Sequence, residues 1–252
     1  MGAERWINLG FMVIQPSELM KLALVLAMAR YFHGLTLNEL RNPLTLVVPL
    51  LMIIAPVGMV LLQPNLGTAT LLILTGAAVA FAAGVPIWIF AVLIALGLAA
   101  IPFGWELLHD YQRARVYTFL DPGSDPLGSG YNIMQSKIAL GSGGLFGKGF
   151  MEGTQSQLAF LPEKHTDFIF VVLAEEFGMV GAFILLFLYA LLLIYGVMIA
   201  LNAQSQFGRL VALGLTTTFF LYVFVNVAMV TGLIPVVGIP LPLVSYGGTA
   251  ML

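Results

Sequence analysis

Glu18 and Lys21 stand three residues apart in the stretch Gln15-Pro16-Ser17-Glu18-Leu19-Met20-Lys21. On a helix that spacing puts both on one face. A charge within a membrane span is expensive, so such residues pair and face an interior cavity; an interfacial pair a turn or two below the surface is the blander alternative. Gln15-Pro16-Ser17 can break or re-cap the helix there. Leu161-Pro162-Glu163-Lys164-His165-Thr166-Asp167 precedes a long apolar run. Asp167 would therefore sit near a helix N-terminus, where the dipole favours a carboxylate and it can cap. It could equally be a carboxylate at the membrane–water boundary, taking a proton from a hydroxyl. Gly141-Ser142-Gly143-Gly144-Leu145-Phe146-Gly147-Lys148-Gly149 is similar to an anion-binding nest. It is no P-loop, since Lys148 precedes Gly149 rather than Ser or Thr. With Lys137 and Lys148 nearby it suits a pyrophosphate or a mobile lid, and plain turns are the commoner explanation of such glycines. Gln63-Pro64-Asn65-Leu66-Gly67-Thr68 is either a tight turn that starts a helix or a set of polar groups at membrane depth, and the sequence leaves both open. Of Glu175 and Glu176, at least one should face protein or a pocket rather than lipid.

The elements that hold these groups follow from composition. The chain has 252 residues, 60% hydrophobic and only 9% charged. Soluble domains carry about 25% charged residues, so a cytosolic enzyme is excluded and an integral membrane protein remains. A net charge of -2 gives no basic balance toward nucleic acid. The absence of cysteine excludes a disulfide scaffold, an iron–sulfur cluster and a thiolate zinc site. Three histidines and no His-Glu-x-x-His motif give little support for a histidine metal site.

No Asp, Glu, Lys, Arg or His occurs in 42–105, 177–208 or 210–252. A helical span needs about 20 apolar residues, so the first of these deserts holds three spans folded by turns at Gln63–Gly67 and Gly84–Pro86. Helices are expected near 10–32, 44–62, 68–84, 86–104, 168–200 and 209–231, with a seventh apolar stretch from Leu243. The alternation of a membrane barrel is absent. The expected fold is thus an all-α polytopic membrane protein, 1–252 forming one integral membrane domain. Residues 105–167 break the pattern with five basic and seven acidic side chains, and a polar segment that long is rarely a mere connector. Arg30 and Arg41 in one short loop and Arg209 in another fall on one side, which places the 105–167 loop on the opposite, extracytoplasmic face. No secretory signal precedes the first span.

Together these segments resemble the SEDS family of polytopic membrane glycosyltransferases. The matching stretches are Arg5-Trp6-Ile7-Asn8, Gln15-Pro16-Ser17-Glu18-Leu19 with Lys21, Gln63-Pro64 with Leu66-Gly67-Thr68, Tyr111-Gln112, Phe119-Leu120-Asp121-Pro122, Gly130-Tyr131, Gln135-Ser136-Lys137-Ile138-Ala139, Gly141-Ser142-Gly143-Gly144, His165-Thr166-Asp167-Phe168-Ile169-Phe170, Ala174-Glu175-Glu176 and Leu243-Val244-Ser245-Tyr246-Gly247-Gly248. They run the whole length in order. Gly147-Lys148-Gly149, Gln155-Ser156-Gln157 and Leu161-Pro162-Glu163 look like the elongation branch more than the division branch. The resemblance implies a bundle of ten helices, of which this chain would hold the fourth to the ninth and the start of the tenth. At position 65 the family usually has Asp where this chain has Asn65.

The activity the resemblance implies is polymerisation of lipid II into peptidoglycan glycan strands in the bacterial inner membrane, during elongation and maintenance of rod shape. It makes Asp167 the candidate catalytic base and Arg113, Arg115, Lys137 and Lys148 candidate pyrophosphate contacts. Glu18 and Lys21 would form the cavity wall and Trp6 its mouth. A divalent ion could share the pyrophosphate role, although no ligand set is readable. The implied partners are lipid II, a class B penicillin-binding protein and membrane lipids. A lipid II flippase, or a scaffold that recruits a penicillin-binding protein, are the alternatives. A transporter needs access from both faces, whereas the polar apparatus here gathers on the expected external one.

Overall fold

The computed structural model describes residues 7–8, 13–36, 38–63, 65–107, 110–121, 129–153 and 166–246. A two-residue antiparallel ladder, β1 (Ile7–Asn8) with β2 (Val13–Ile14), precedes the helices. Helix α1 (Pro16–His33) is followed by a 3-10 turn (Glu39–Arg41), α2 (Val47–Leu62), α3 (Leu66–Ala83) and α4 (Ile87–Leu107). Two helices, α5 (Asp110–Leu120) and α6 (Ser129–Ser142), lie in the segment expected to be a loop. The long helices α7 (Ile169–Asn202) and α8 (Gln206–Val230) complete the order.

Among the described residues, each of the six segments expected near 10–32, 44–62, 68–84, 86–104, 168–200 and 209–231 contains a helix, and the helical fold is the expected one. Among the described residues three helices, α3, α7 and α8, are long and apolar enough to span, while Val47–Leu62 and Ile87–Pro102 are shorter apolar helices. Helix α1 carries Glu18, Lys21 and Arg30 within its 18 residues, which keeps it out of that set. It also starts later than residue 10, the expected boundary, because residue 16 is proline. Gln15 is extended (φ -96°, ψ 114°), as the residue before a proline is forced to be. Pro16 takes the first helical position, where a missing N–H costs nothing. The Leu243 stretch passes at 247–252 outside the described residues.

The chain divides into two compact units, 1–101 with 192–221 and 102–191 with 222–251. In the first, α1, α2 and α3 pack on one another around Leu24, Val25, Met28, Phe32, Leu72 and Val79. Lipid tails are as apolar as these side chains, so close packing and polar ties hold helices together instead. Gly214 of α8 lies where a Cβ would press on Val25 of α1 and Val79 of α3. The Thr218 hydroxyl donates to its own helix at the Gly214 carbonyl (2.8 Å), so the Thr75 hydroxyl of α3 is the donor across the 3.3 Å contact with Thr218. Such interhelical bonds are worth about 0.6 kcal/mol each in membranes.

In the second unit α7 is interrupted at Gly178, whose backbone (φ 67°, ψ -165°) leaves helical space. Only glycine enters that region at no steric cost. The interruption strands carbonyls and amides that the glycine-rich segment takes up. Lys148 and Gly149 donate their N–H groups to the carbonyls of Glu175 (3.1 Å) and Glu176 (3.0 Å). Met179 and Val180 donate in return to the carbonyls of Gly144 (2.9 Å) and Leu145 (3.1 Å). A Cβ at Gly143 or Gly147 would strike the backbone of Ala174 or Glu176, which is why this stretch is glycine-rich.

Candidate active site

In the first unit, the first turn of α1 pairs Lys21 Nζ with Glu18 Oε1 at 2.7 Å. The lysine side chain is 3% exposed and the glutamate 17%, so the couple is held inside protein, as its cost in hydrocarbon requires. Beside it the Ser17 hydroxyl is buried and has no hydrogen-bond partner among the described residues. Asn65 bears out the helix-start reading of its turn. Its Oδ1 accepts the Thr68 N–H (3.3 Å) and caps α3. Asn caps as well as Asp does, so the residue that departs from the family pattern keeps the cap without the charge. Trp6 and Pro64 lie outside the described residues.

In the second unit, Asp167 stands just ahead of α7 and is half-buried. The Phe168 carbonyl accepts the first helical bonds, from Val171 (3.0 Å) and Val172 (3.3 Å). A residue whose carbonyl accepts the first bond is the N-cap, so Asp167 precedes the cap position rather than occupying it. Its surroundings come from α8 and from the segment 231–246 that follows. The Asn226 amide donates to the Asp167 carbonyl (2.9 Å) and to the Ile239 carbonyl (2.7 Å). The Ser245 hydroxyl donates to the Thr166 carbonyl (2.6 Å) and accepts the Leu241 N–H (2.7 Å). The Tyr189 hydroxyl of α7 donates to the Pro242 carbonyl (2.6 Å). A Cβ at Gly238 would lie 3.3 Å from Asp167 Oδ2, so the carboxylate rests against the main chain of this segment.

The cations divide. Lys137 of α6 is exposed, and its chain runs against Gly232, where a Cβ would lie 2.8 Å from Nζ. Among the described residues it joins no ion pair. Lys137 and Asp167 therefore border one segment, at Gly232 and Gly238. Lys148 instead binds Glu175 Oε1 at 2.8 Å, with Glu175 fully buried. Both Glu175 and Glu176 are inside protein, as expected. The Arg113 guanidinium donates to the Glu106 carbonyl (2.9 Å). Arg115 lies on α5, and its side chain is outside the described residues; so are His165 and 154–164. In the glycine-rich stretch the amides of Gly143 and Gly147 are bonded within the stretch and its preceding helix, and those of Lys148 and Gly149 are spent on α7, which favours the turn reading over the anion nest. Among the described residues there is no group of three His, Asp or Glu side chains that could hold a metal ion.

Asn226 was absent from the sequence-based candidates, as was any role for Ser245. A lone amide between Phe219 and Val230 in an otherwise apolar span is the signal that could have found it.

The family of FtsW, RodA and SpoVE, described as cell cycle proteins, matches residues 1–252. The chain belongs to this family. It is 53% identical over 253 residues to the peptidoglycan glycosyltransferase MrdB of Escherichia coli, covering 100% of this chain and 68% of that protein. It is 40% identical over 250 residues to the stage V sporulation protein E of Bacillus subtilis, covering 99% of this chain and 68% of the relative. Among solved structures, it matches a chain from work on the structural coordination of polymerization and crosslinking by a peptidoglycan synthase complex. There the TM-score is 0.83 at 35% identity, over 100% of this chain and 69% of the other. The rod shape determining protein RodA of Thermus thermophilus matches at a TM-score of 0.65 and 31% identity, over 99% of this chain and 64% of that one. Family membership and the apolar helices make this a membrane protein.

Proposed function

We propose that this chain is a peptidoglycan glycosyltransferase that polymerises lipid II during cell elongation, as a multi-pass protein of the bacterial inner membrane. The observation that carries the activity is the 53% identity, along the whole chain, to a relative bearing that name. In the reaction, a hydroxyl of one lipid-linked disaccharide attacks the anomeric carbon of a second. The new glycosidic C–O bond forms as the bond from that carbon to the pyrophosphate oxygen breaks, and polyprenyl pyrophosphate leaves. Asp167 takes the hydroxyl proton, and its half-buried place against Gly238 supports this reading. General-base assistance of this kind is typically worth ~10²–10⁴-fold. Among the described residues Lys137 is the best-placed cation for the leaving pyrophosphate, since it is exposed and borders the same segment. Lys148 and Arg113 are less available, being bonded to Glu175 and to the Glu106 carbonyl.

The family's solved relative in a peptidoglycan synthase complex supports a class B penicillin-binding protein as the partner. The test is reconstitution in vesicles with labelled lipid II, scoring glycan strands and transbilayer movement separately, with and without that partner. Strands formed without net movement are expected. Movement without strands would make the protein a transporter, and neither activity would leave a scaffold.

A further inference from the structure

We infer that Asn226 is the positioning residue for Asp167, acting through the main chain that carries the carboxylate. The inference rests on the reading of Asp167 as the base. Asn226 is completely buried, on a stretch of α8 with Val225 and Val227 as neighbours. Its amide spends both hydrogens, on the Asp167 carbonyl (2.9 Å) and on the Ile239 carbonyl (2.7 Å). That fixes the orientation of the group, since the reverse would set Oδ1 against two carbonyl oxygens. The remaining Oδ1 is buried with no hydrogen-bond partner among the described residues. A side chain present only to fill space would be apolar and would leave nothing stranded. What the amide supplies is a two-toothed tie between the residue ahead of α7 and the segment its carboxylate rests on.

A second group on the same face of α8 completes the tie. Met229, three residues on and also buried, accepts through its sulfur from Val237 (3.2 Å) and Gly238 (3.4 Å). Gly238 is the residue beneath Asp167 Oδ2, and its φ of 75° favours glycine. One turn of α8 thus holds both the stalk of the carboxylate and the surface under it. Loss of the tie would leave substrate binding in place and misdirect the base, and a misplacement of about 1 Å can cost ~10²-fold in rate.

The experiment measures kcat and KM for lipid II polymerisation by Asn226→Asp and Asn226→Ala in the full chain reconstituted in vesicles, alongside melting temperature. A loss of kcat of ~10–100-fold is expected, with KM within about twofold of the parent. Asn226→Asp should also slow further as pH rises, because the neutral acid still donates one hydrogen and the carboxylate donates none. In an Asp167→Asn background the Asn226 penalty on the residual rate should vanish. Parent kcat in both variants, or an undiminished penalty in that background, overturns the inference. Polymerisation at the parent rate by Asp167→Asn alone would instead overturn the reading of the base, whatever the Asn226 variants do. Should both Asn226 variants melt below the assay temperature, Met229→Leu takes their place. A several-fold fall in its kcat supports the tie, and parent kcat overturns it.

Discussion

Replacing Lys148 by Met separates a structural cation from a substrate-binding one. The ammonium lies 2.8 Å from Glu175 Oε1, with the lysine side chain 26% exposed and the glutamate 0%. At an effective dielectric of 20 two unit charges at that distance attract by roughly 6 kcal/mol. Most of this is offset by the desolvation of both ions. Removing one partner is not offset, since the buried Glu175 carboxylate loses its bonded ammonium, at about 3–5 kcal/mol for breaking such a pair. Partial exposure on the lysine side puts the expected loss at the lower end. Taking about 2–4 °C per kcal/mol for a chain of this size, Lys148→Met should melt about 6–12 °C lower. Adding Glu175→Leu removes the buried carboxylate as well and should recover part of the loss. The assay is thermal unfolding of the purified protein in one fixed detergent, with KM for lipid II measured below the melt. A variant that melts with the parent and shows a raised KM would refute the reasoning, and would return Lys148 to the pyrophosphate role expected from sequence.

Other outcomes follow from the same geometry. Glu18→Ala and Lys21→Ala should each destabilise the protein more than the double variant does, because each single change takes from a buried charge the opposite charge 2.7 Å away; additive losses in unfolding would mean that the two do not couple. Because the chain has no cysteine, Glu152→Cys, at an exposed site, offers a clean topology probe. It should react with an impermeant maleimide added from the extracytoplasmic side, and labelling only from the cytoplasmic side would reverse the orientation. The Glu39 carboxylate is held below the ordinary glutamate value, first by the Thr36 N–H and then by the Thr36 hydroxyl. Its stabilising effect is therefore full above that value and is lost as pH falls through the lowered one. Thr36→Val removes only the hydroxyl, so a carboxyl titration should shift part of the way back, and an unchanged midpoint would count against that bond.

Much of the helical fold was legible because charge is so costly in a membrane that its absence marks the spans. The three charge-free stretches place α2, α3, α4, α7 and α8 within a few residues. The start of α1 was missed because the apolar pattern runs back to residue 10 while Pro16 sets the boundary. Helices α5 and α6 were missed because charge and turn residues dominate that segment and hide its helices. The pairing of Glu18 with Lys21 was readable from spacing alone. The engagement of Lys148 with Glu175 was not, since 27 residues separate them and their meeting depends on the break at Gly178. For the same reason the glycines suggested an anion nest. Their backbone role becomes visible only with the carbonyls of Glu175 and Glu176 in place. Asn226 escaped notice because an amide carries no charge, and what it does depends on a partner 59 residues away.

The central claim is that the Asp167 carboxylate accepts a proton during glycan polymerisation. Asp167→Asn tests it most directly, because the ties to this residue from Asn226 and to Thr166 from Ser245 run through the main chain and survive the change. The measurement is the single-turnover rate of lipid II polymerisation at saturating substrate, in vesicles holding equal amounts of folded parent and variant. A fall of ~10²–10⁴-fold with an unchanged melting temperature is expected. Polymerisation by the folded variant at the parent rate would contradict it.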